Sequence, residues 1–150
     1  MENRIIAGVC AALCLSLATP LHAAPVPKLS GIYIVTVQAV CPMTDTSQGA
    51  VASRLLRAAY SSVHGTVTVT GSMTYSTLGN SAGTATIPVS YSSAFSNTTT
   101  TLTDSPNGSP VTVAIMYGAL VGDIAQSYFT SGPVSEGSLQ CIETAQGVRQ

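Results

Sequence analysis

Five consecutive residues, Gly79-Asn80-Ser81-Ala82-Gly83, fit the G-x-S-x-G pattern of a hydrolase nucleophile elbow. That chemistry needs Ser81 exposed on a sharp strand-to-helix turn, beside an oxyanion hole and within reach of a base. The residues that follow, Thr84-Ala85-Thr86-Ile87-Pro88, read as strand. His64 is the one histidine after position 23, and it precedes Ser81, whereas the elbow fold supplies serine, acid and histidine in that order. Triads occur in other orders on other folds, so order does not exclude catalysis. Gly, Asn, Ser and Ala are also what a hairpin connection uses for positive φ and local hydrogen bonding. We read the segment as a turn and predict no catalytic residue.

Other chemistries find less support. A zinc site needs three or four clustered ligands, and a single histidine with two pairable cysteines does not supply them. Asp45, Asp104 and Asp123 form no D-x-D-x-D loop. Asp104 and Asp123 sit at turn signals, where capping or solvation explains them. Neither GxGxxG nor GxxxxGK[ST] is present. No metal and no cofactor is predicted. Arg54 and Arg57, three apart, read as a solvated helix face, with anion binding as the alternative. Six tyrosines supply most of the aromatic surface. Tyr75, Tyr91 and Tyr117 are the candidates to line a ligand cavity, against a default of core packing with the hydroxyl at the rim.

The elements that would position these residues begin after an export signal. Arg4 and the amino terminus precede an apolar run, Ile5 to Ala18, then Pro20 and a small-residue site ending at Ala23. The run is shorter than the ~20 residues needed to span a bilayer. Residues 1–23 are therefore read as a cleaved signal peptide that carries Cys10 and Cys14 away, leaving no membrane span. Residues 24–30 form an extended lead-in, and residues 31–150 a single β domain. The expected location is the periplasm or the extracellular space.

From position 24 onward there are five acidic residues, four basic residues and 36 serines and threonines. This balance offers no footprint for nucleic acid. Cys41 and Cys141 remain, and an exported chain should pair them. Closing a loop of this length is worth at most ~4.7 kcal/mol in the chain-entropy model.

Gly31–Val40 is a β-branched strand, apolar on both faces and therefore expected to be buried on both. Residues 48–61 contain Ala, Leu and Arg at helical spacing, and a short helix is predicted there, with a strand as the alternative. From Thr66 the period becomes two. Val67, Val69, Gly71, Met73 and Tyr75 share one face, and Ala85, Ile87, Val89 and Tyr91 repeat the pattern beyond the turn. Pro88 marks an edge or a bulge. Asn107-Gly108 predicts a two-residue type I′ hairpin turn in which paired positions sum to 215, so that Leu102 faces Val113. Strands follow at 124–130 and around Cys141, with a loop at 131–137. The fold class is mainly β: an antiparallel barrel or sandwich of about seven strands with one short helix at about 48–61.

Gly31-Ile32-Tyr33 on the first strand and Arg149 near the end resemble the lipocalin and wider calycin pattern, in which a Gly-x-Trp packs against a late arginine. Tyr33 stands where that pattern has Trp. The plan is similar to small exported lipocalin-like bacterial proteins. The resemblance implies a barrel cavity for a small apolar ligand. The sequence thus predicts a small exported non-catalytic β protein, binding such a ligand or an envelope component. The alternative is a surface, adhesin or pilus-like structural subunit, and a serine hydrolase using Ser81 is the least favoured reading.

Overall fold

The computed structural model describes residues 24–41, 49–78, 83–136 and 139–150. Among these residues are ten strands and no helix. Eight strands close an antiparallel barrel: β1 (Gly31–Cys41), β2 (Gly49–Ser61), β3 (Thr66–Leu78), β4 (Gly83–Asn97), β5 (Thr101–Asp104), β6 (Val111–Tyr117), β9 (Ser127–Glu136) and β10 (Leu139–Arg149). Two short strands, β7 (Leu120–Val121) and β8 (Ile124–Ala125), form a separate ribbon between β6 and β9. Each barrel strand pairs with its neighbour in the chain, and β1 closes the ring on β10. Closure removes the exposed edges that an open sheet would present.

The expected helix at 48–61 is corrected: described residues 49–61 are β2, the eighth barrel strand. Local propensity favoured a helix, but β1 and β3 offer β2 ladders along nearly its whole length, from Cys41↔Ala50 to Ser61↔Thr66. A helix of this length is marginal by itself, so tertiary pairing decides. The period-two pattern sends Ala50, Ala52, Leu56 and Ala58 inward, where they are buried. The consequence for the arginines is direct. Arg54 lies on the inner face and Arg57 is exposed on the outer one.

β1 is buried on one face only. Tyr33, Val35, Val37 and Ala39 point inward, while Ile34 and Val40 are exposed. The loop expected at 131–137 is also corrected, because β9 continues through described residues 131–136. Pro133 is tolerated there because the β6–β9 ladder stops at Ala114↔Ser131, before it. Pro88 is in a similar position, since β4 pairs with β5 only over Phe95–Asn97.

The paired faces expected of 67–75 and 85–91 do meet, with Val69 opposite Tyr91 and Tyr75 opposite Ala85. Residues 79–82, including Ser81, lie outside the described residues, as do residues 1–23. The 215 register holds from Thr101↔Ala114 to Asp104↔Val111, with Leu102 opposite Val113. The turn is wider than predicted. The Gly108 amide donates to Ser105 O at 3.1 Å, which puts Pro106-Asn107 at its centre and leaves Gly108 after it at φ 77°. Pro106 pre-sets the first central position of such a turn, displacing the Asn-Gly arrangement.

The two ends of the barrel differ. At one end Leu29 and Tyr33 are fully buried, and the lead-in crosses the opening to bond with the ribbon through Lys28 N–Asp123 O (2.6 Å) and Ala125 N–Lys28 O (3.0 Å). At the other end the β4–β5 and β6–β9 ladders have already stopped, so the wall parts. The Cys41–Cys141 disulfide joins β1 to β10 at this open end. Outside, β3 and β4 present hydroxyls bonded across the strands, including Thr68–Ser92 (3.0 Å), Thr74–Thr86 (3.2 Å) and Ser76–Thr84 (3.1 Å). These ladders hydrate a surface with very few charges. No described helix is long and apolar enough to cross a membrane.

Candidate functional site

The inner faces of the eight strands enclose a lumen of about 800 Å³ that reaches the open end. An eight-stranded barrel is just wide enough to be filled by side chains or to hold one small ligand. Side-chain size decides between these outcomes. Ala58 and Ala145 are small residues on the wall, among Val35, Val37, Leu56, Val69, Val89 and Val113. Ala58, which favoured a helix in the sequence, is here one of the residues that leave room.

Aromatic rings close the floor. Tyr60 meets Phe95 edge-on at 4.9 Å and Tyr33 at 5.5 Å, and Tyr128 lies 5.6 Å from Tyr33. Tyr33 Oη donates to Ala125 O at 2.6 Å, and the Tyr60 and Tyr128 hydroxyls share a bond of 2.9 Å. Gly147 makes the last contact possible, because a β-carbon there would lie 2.2 Å from the Tyr128 ring. Burial pushes the Tyr60 hydroxyl well above its ordinary pKa, and the adjacent Tyr128 adds to the effect. Burial raises Tyr128 in the same direction, opposed by its hydrogen bond from Tyr60.

Polar groups stand above this floor. Arg54 Nη1 contacts Glu143 Oε2 at 2.5 Å, and both side chains are largely buried, at 16% and 21% exposure. They reach toward each other across β1: Arg54 is opposite Val37 on one side, and Glu143 is opposite Ala39 on the other. Arg54 Nε also lies 3.2 Å from Met73 Sδ. A third ionisable group, Asp104, accepts hydrogen bonds from Tyr91 Oη (3.3 Å), from Ser93 Oγ, and from the Ser105 amide (2.7 Å). Burial raises the Tyr91 hydroxyl pKa, and the Asp104 carboxylate raises it further.

The three tyrosines expected to line a cavity separate. Tyr91 lies on the lumen wall. Tyr75 is half-buried near the open end and packs against Cys41, Cys141 and Ala50. Tyr117 lies at the floor end, accepting from Asn97 Nδ2 (2.6 Å) and donating to Thr98 O (2.8 Å), and is not among the residues around the lumen. Arg54, Asp104 and Glu143 carry the lumen's charge. The sequence places Arg54 on a solvated helix face, Asp104 beside a turn and Glu143 on the strand around Cys141, without bringing the three together. Period two from Ala50 to Tyr60 would have found Arg54, and Glu143 is two residues from inward Cys141. The turn assignment for Asp104 was partly right, given its bond from the Ser105 amide.

Among the described residues no three His, Cys, Asp or Glu side chains converge as metal ligands. His64 lies in the β2–β3 turn, while Leu78 and Gly83, which flank residues 79–82, lie at the far end of the 13-residue β3. At ~3.3 Å per residue that is about 40 Å of strand.

The closed eight-stranded antiparallel barrel, with Arg149 bonded to Ser30 O at 3.0 Å beside Gly31, is compatible with a calycin-like plan. No protein-family model matches the chain, and no curated protein or solved structure is similar to it beyond chance.

Proposed function

We propose that this is an exported, non-catalytic protein that binds a small, largely apolar molecule inside its barrel. One observation carries the reading: a lumen of about 800 Å³, floored by aromatic rings, with a belt of valines and leucines in its wall and open at one end. Concave, mostly apolar cavities with a few placed polar groups are how proteins hold small ligands. The Cys41–Cys141 disulfide supports export, since such bridges persist in oxidising compartments. The place of His64, exposed in the β2–β3 turn and outside the lumen lining, supports the non-catalytic part.

Native mass spectrometry of protein purified from its own compartment tests the reading, together with titration by N-phenyl-1-naphthylamine, whose fluorescence rises in apolar surroundings. The expected result is a co-purifying mass or saturable probe binding, lost when Ala58→Trp fills the lumen. Protein that is ligand-free, takes no probe and is unchanged by that substitution would overturn it.

A surface subunit is the second reading, favoured by an exposed apolar row. Val51, Val40 and Ile142 stand side by side on three outer strands, at 38%, 53% and 55% exposure, and the row continues to Pro133. Oligomers in the same mass spectra, dispersed by Val40→Lys, would favour that reading.

A further inference from the structure

We infer that the lumen selects an amphiphile bearing a protonated amine, and that Asp104 receives the ammonium group. The inference rests on the ligand-binding reading and names its ligand class. Three acidic or basic side chains line the lumen: Arg54, Glu143 and Asp104. Arg54 and Glu143 face each other at 2.5 Å and neutralise one another. Asp104 has a different set of partners. It accepts from two neutral hydroxyls and one backbone amide, and no cation pairs with it among the described residues. Among the described residues the carboxylate on this wall has hydroxyl and amide donors but no paired cation.

The position of that charge suits a ligand head. Asp104 ends β5 at the last rung of the β4–β5 ladder, opposite Phe95 of the aromatic floor. The Tyr91 hydroxyl bonds to the carboxylate, so its ring stands beside the site and adds an aromatic face for a cation. From there toward the open end the wall offers apolar side chains, Val37, Leu56 and Val89 among them. A molecule with an ammonium group at one end and a hydrocarbon body would place its charge at Asp104, near the floor, and its tail along Val37, Leu56 and Val89 toward the open end. A carboxylate head in the same place would meet like charge.

Octylammonium, 1-octanol and octanoate share one tail and differ in head charge. Their displacement of N-phenyl-1-naphthylamine from the intact, oxidised protein gives three relative affinities. Octylammonium should bind at least about tenfold tighter than octanol, and octanoate weakest, as expected for a partly desolvated charge pair. In Asp104→Asn the amine should lose its advantage over the alcohol, while an unchanged far-ultraviolet circular dichroism spectrum shows that the barrel is intact. If amine and alcohol bind equally to the unsubstituted protein, or octanoate binds best, the inference is overturned and the binding reading stands. A preference that survives Asp104→Asn removes Asp104 from the role. If neither the naphthylamine nor any octyl compound binds, the binding reading itself fails. The three-ligand comparison needs no variant, so it decides the matter even if Asp104→Asn does not fold.

Discussion

The guanidinium of Arg149 lies across Gly31: a β-carbon built on Gly31 would stand 3.1 Å from Arg149 Nε and 3.2 Å from Nη2. Arg149 Nε donates to Ser30 O at 3.0 Å, and the residue pairs with Tyr33 in the β1–β10 ladder. Gly31 itself has φ 99°, a conformation that side chains rarely adopt. The pair fastens the first barrel strand to the last at the floor. Gly31→Ala should cost roughly 1–3 kcal/mol through backbone strain plus the clash. In an Arg149→Ala background the clash is gone, so the same glycine substitution should cost less. Urea denaturation of the two single variants and the double variant measures this. Fully additive losses would show that the two residues are not coupled.

Much of the barrel was legible because an antiparallel sheet with one wet face writes period two into the chain. Val67 to Tyr75 and Ala85 to Tyr91 show it, and their apolar faces do meet. β2 was not legible, because Ala, Leu and Arg carry a helical propensity that says nothing of the neighbours waiting on either side. β9 was hidden by Gly132 and Pro133. Gly132 is needed because a β-carbon there would come 2.9 Å from Val113, and Pro133 lies past the last rung to β6. Of the site, Tyr91 could be foreseen from its strand face. The Arg54–Glu143 pair could not, since its partners are 89 residues apart and meet only when β10 closes on β1.

The disulfide acts at the other end of the same seam. Cys41 and Cys141 continue the β1–β10 register, are buried, and stand 100 residues apart in the chain. Oxidised protein should weigh two hydrogens less than reduced protein. Reduction or Cys141→Ser should lower stability by about 2–4 kcal/mol, below the chain-entropy ceiling. The aromatic floor lies at the opposite end, so near-ultraviolet circular dichroism of the tyrosines should persist in the reduced barrel. Loss of that signal before the far-ultraviolet signal would show that the floor depends on the bridge.

Alkali should unfold the protein through its tyrosines. Burial raises the hydroxyl pKa of Tyr60, Tyr91 and Tyr128 in the folded state. In the unfolded chain these groups ionise near ~10. Below that pH both states are neutral and the full stability is present. Above it the unfolded chain releases protons that the barrel retains, so stability falls as pH rises toward the folded values. The urea midpoint should be level to about pH 9 and then decline. Tyrosinate absorbance should appear together with unfolding, and Tyr60→Phe should flatten the decline. A midpoint that stays level well above the unfolded tyrosine pKa contradicts this account.

The Arg54–Glu143 pair can separate charge balance from packing. Each side chain is largely withdrawn from water, so removing one partner leaves the other charge poorly solvated. Arg54→Met alone or Glu143→Leu alone should each cost about 2–4 kcal/mol, somewhat under the range for fully buried pairs because water still reaches both groups. The double variant restores neutrality and adds apolar contact, so it should recover most of the loss. Arg57→Met, one residue of the same type on the outer face of β2, should change stability by less than about 0.5 kcal/mol. That contrast follows only if residues 49–61 alternate as a strand, because a helix would set the two arginines on neighbouring faces. Equal effects at Arg54 and Arg57, with no recovery in the double variant, would remove both the ion pair and the strand assignment that creates it.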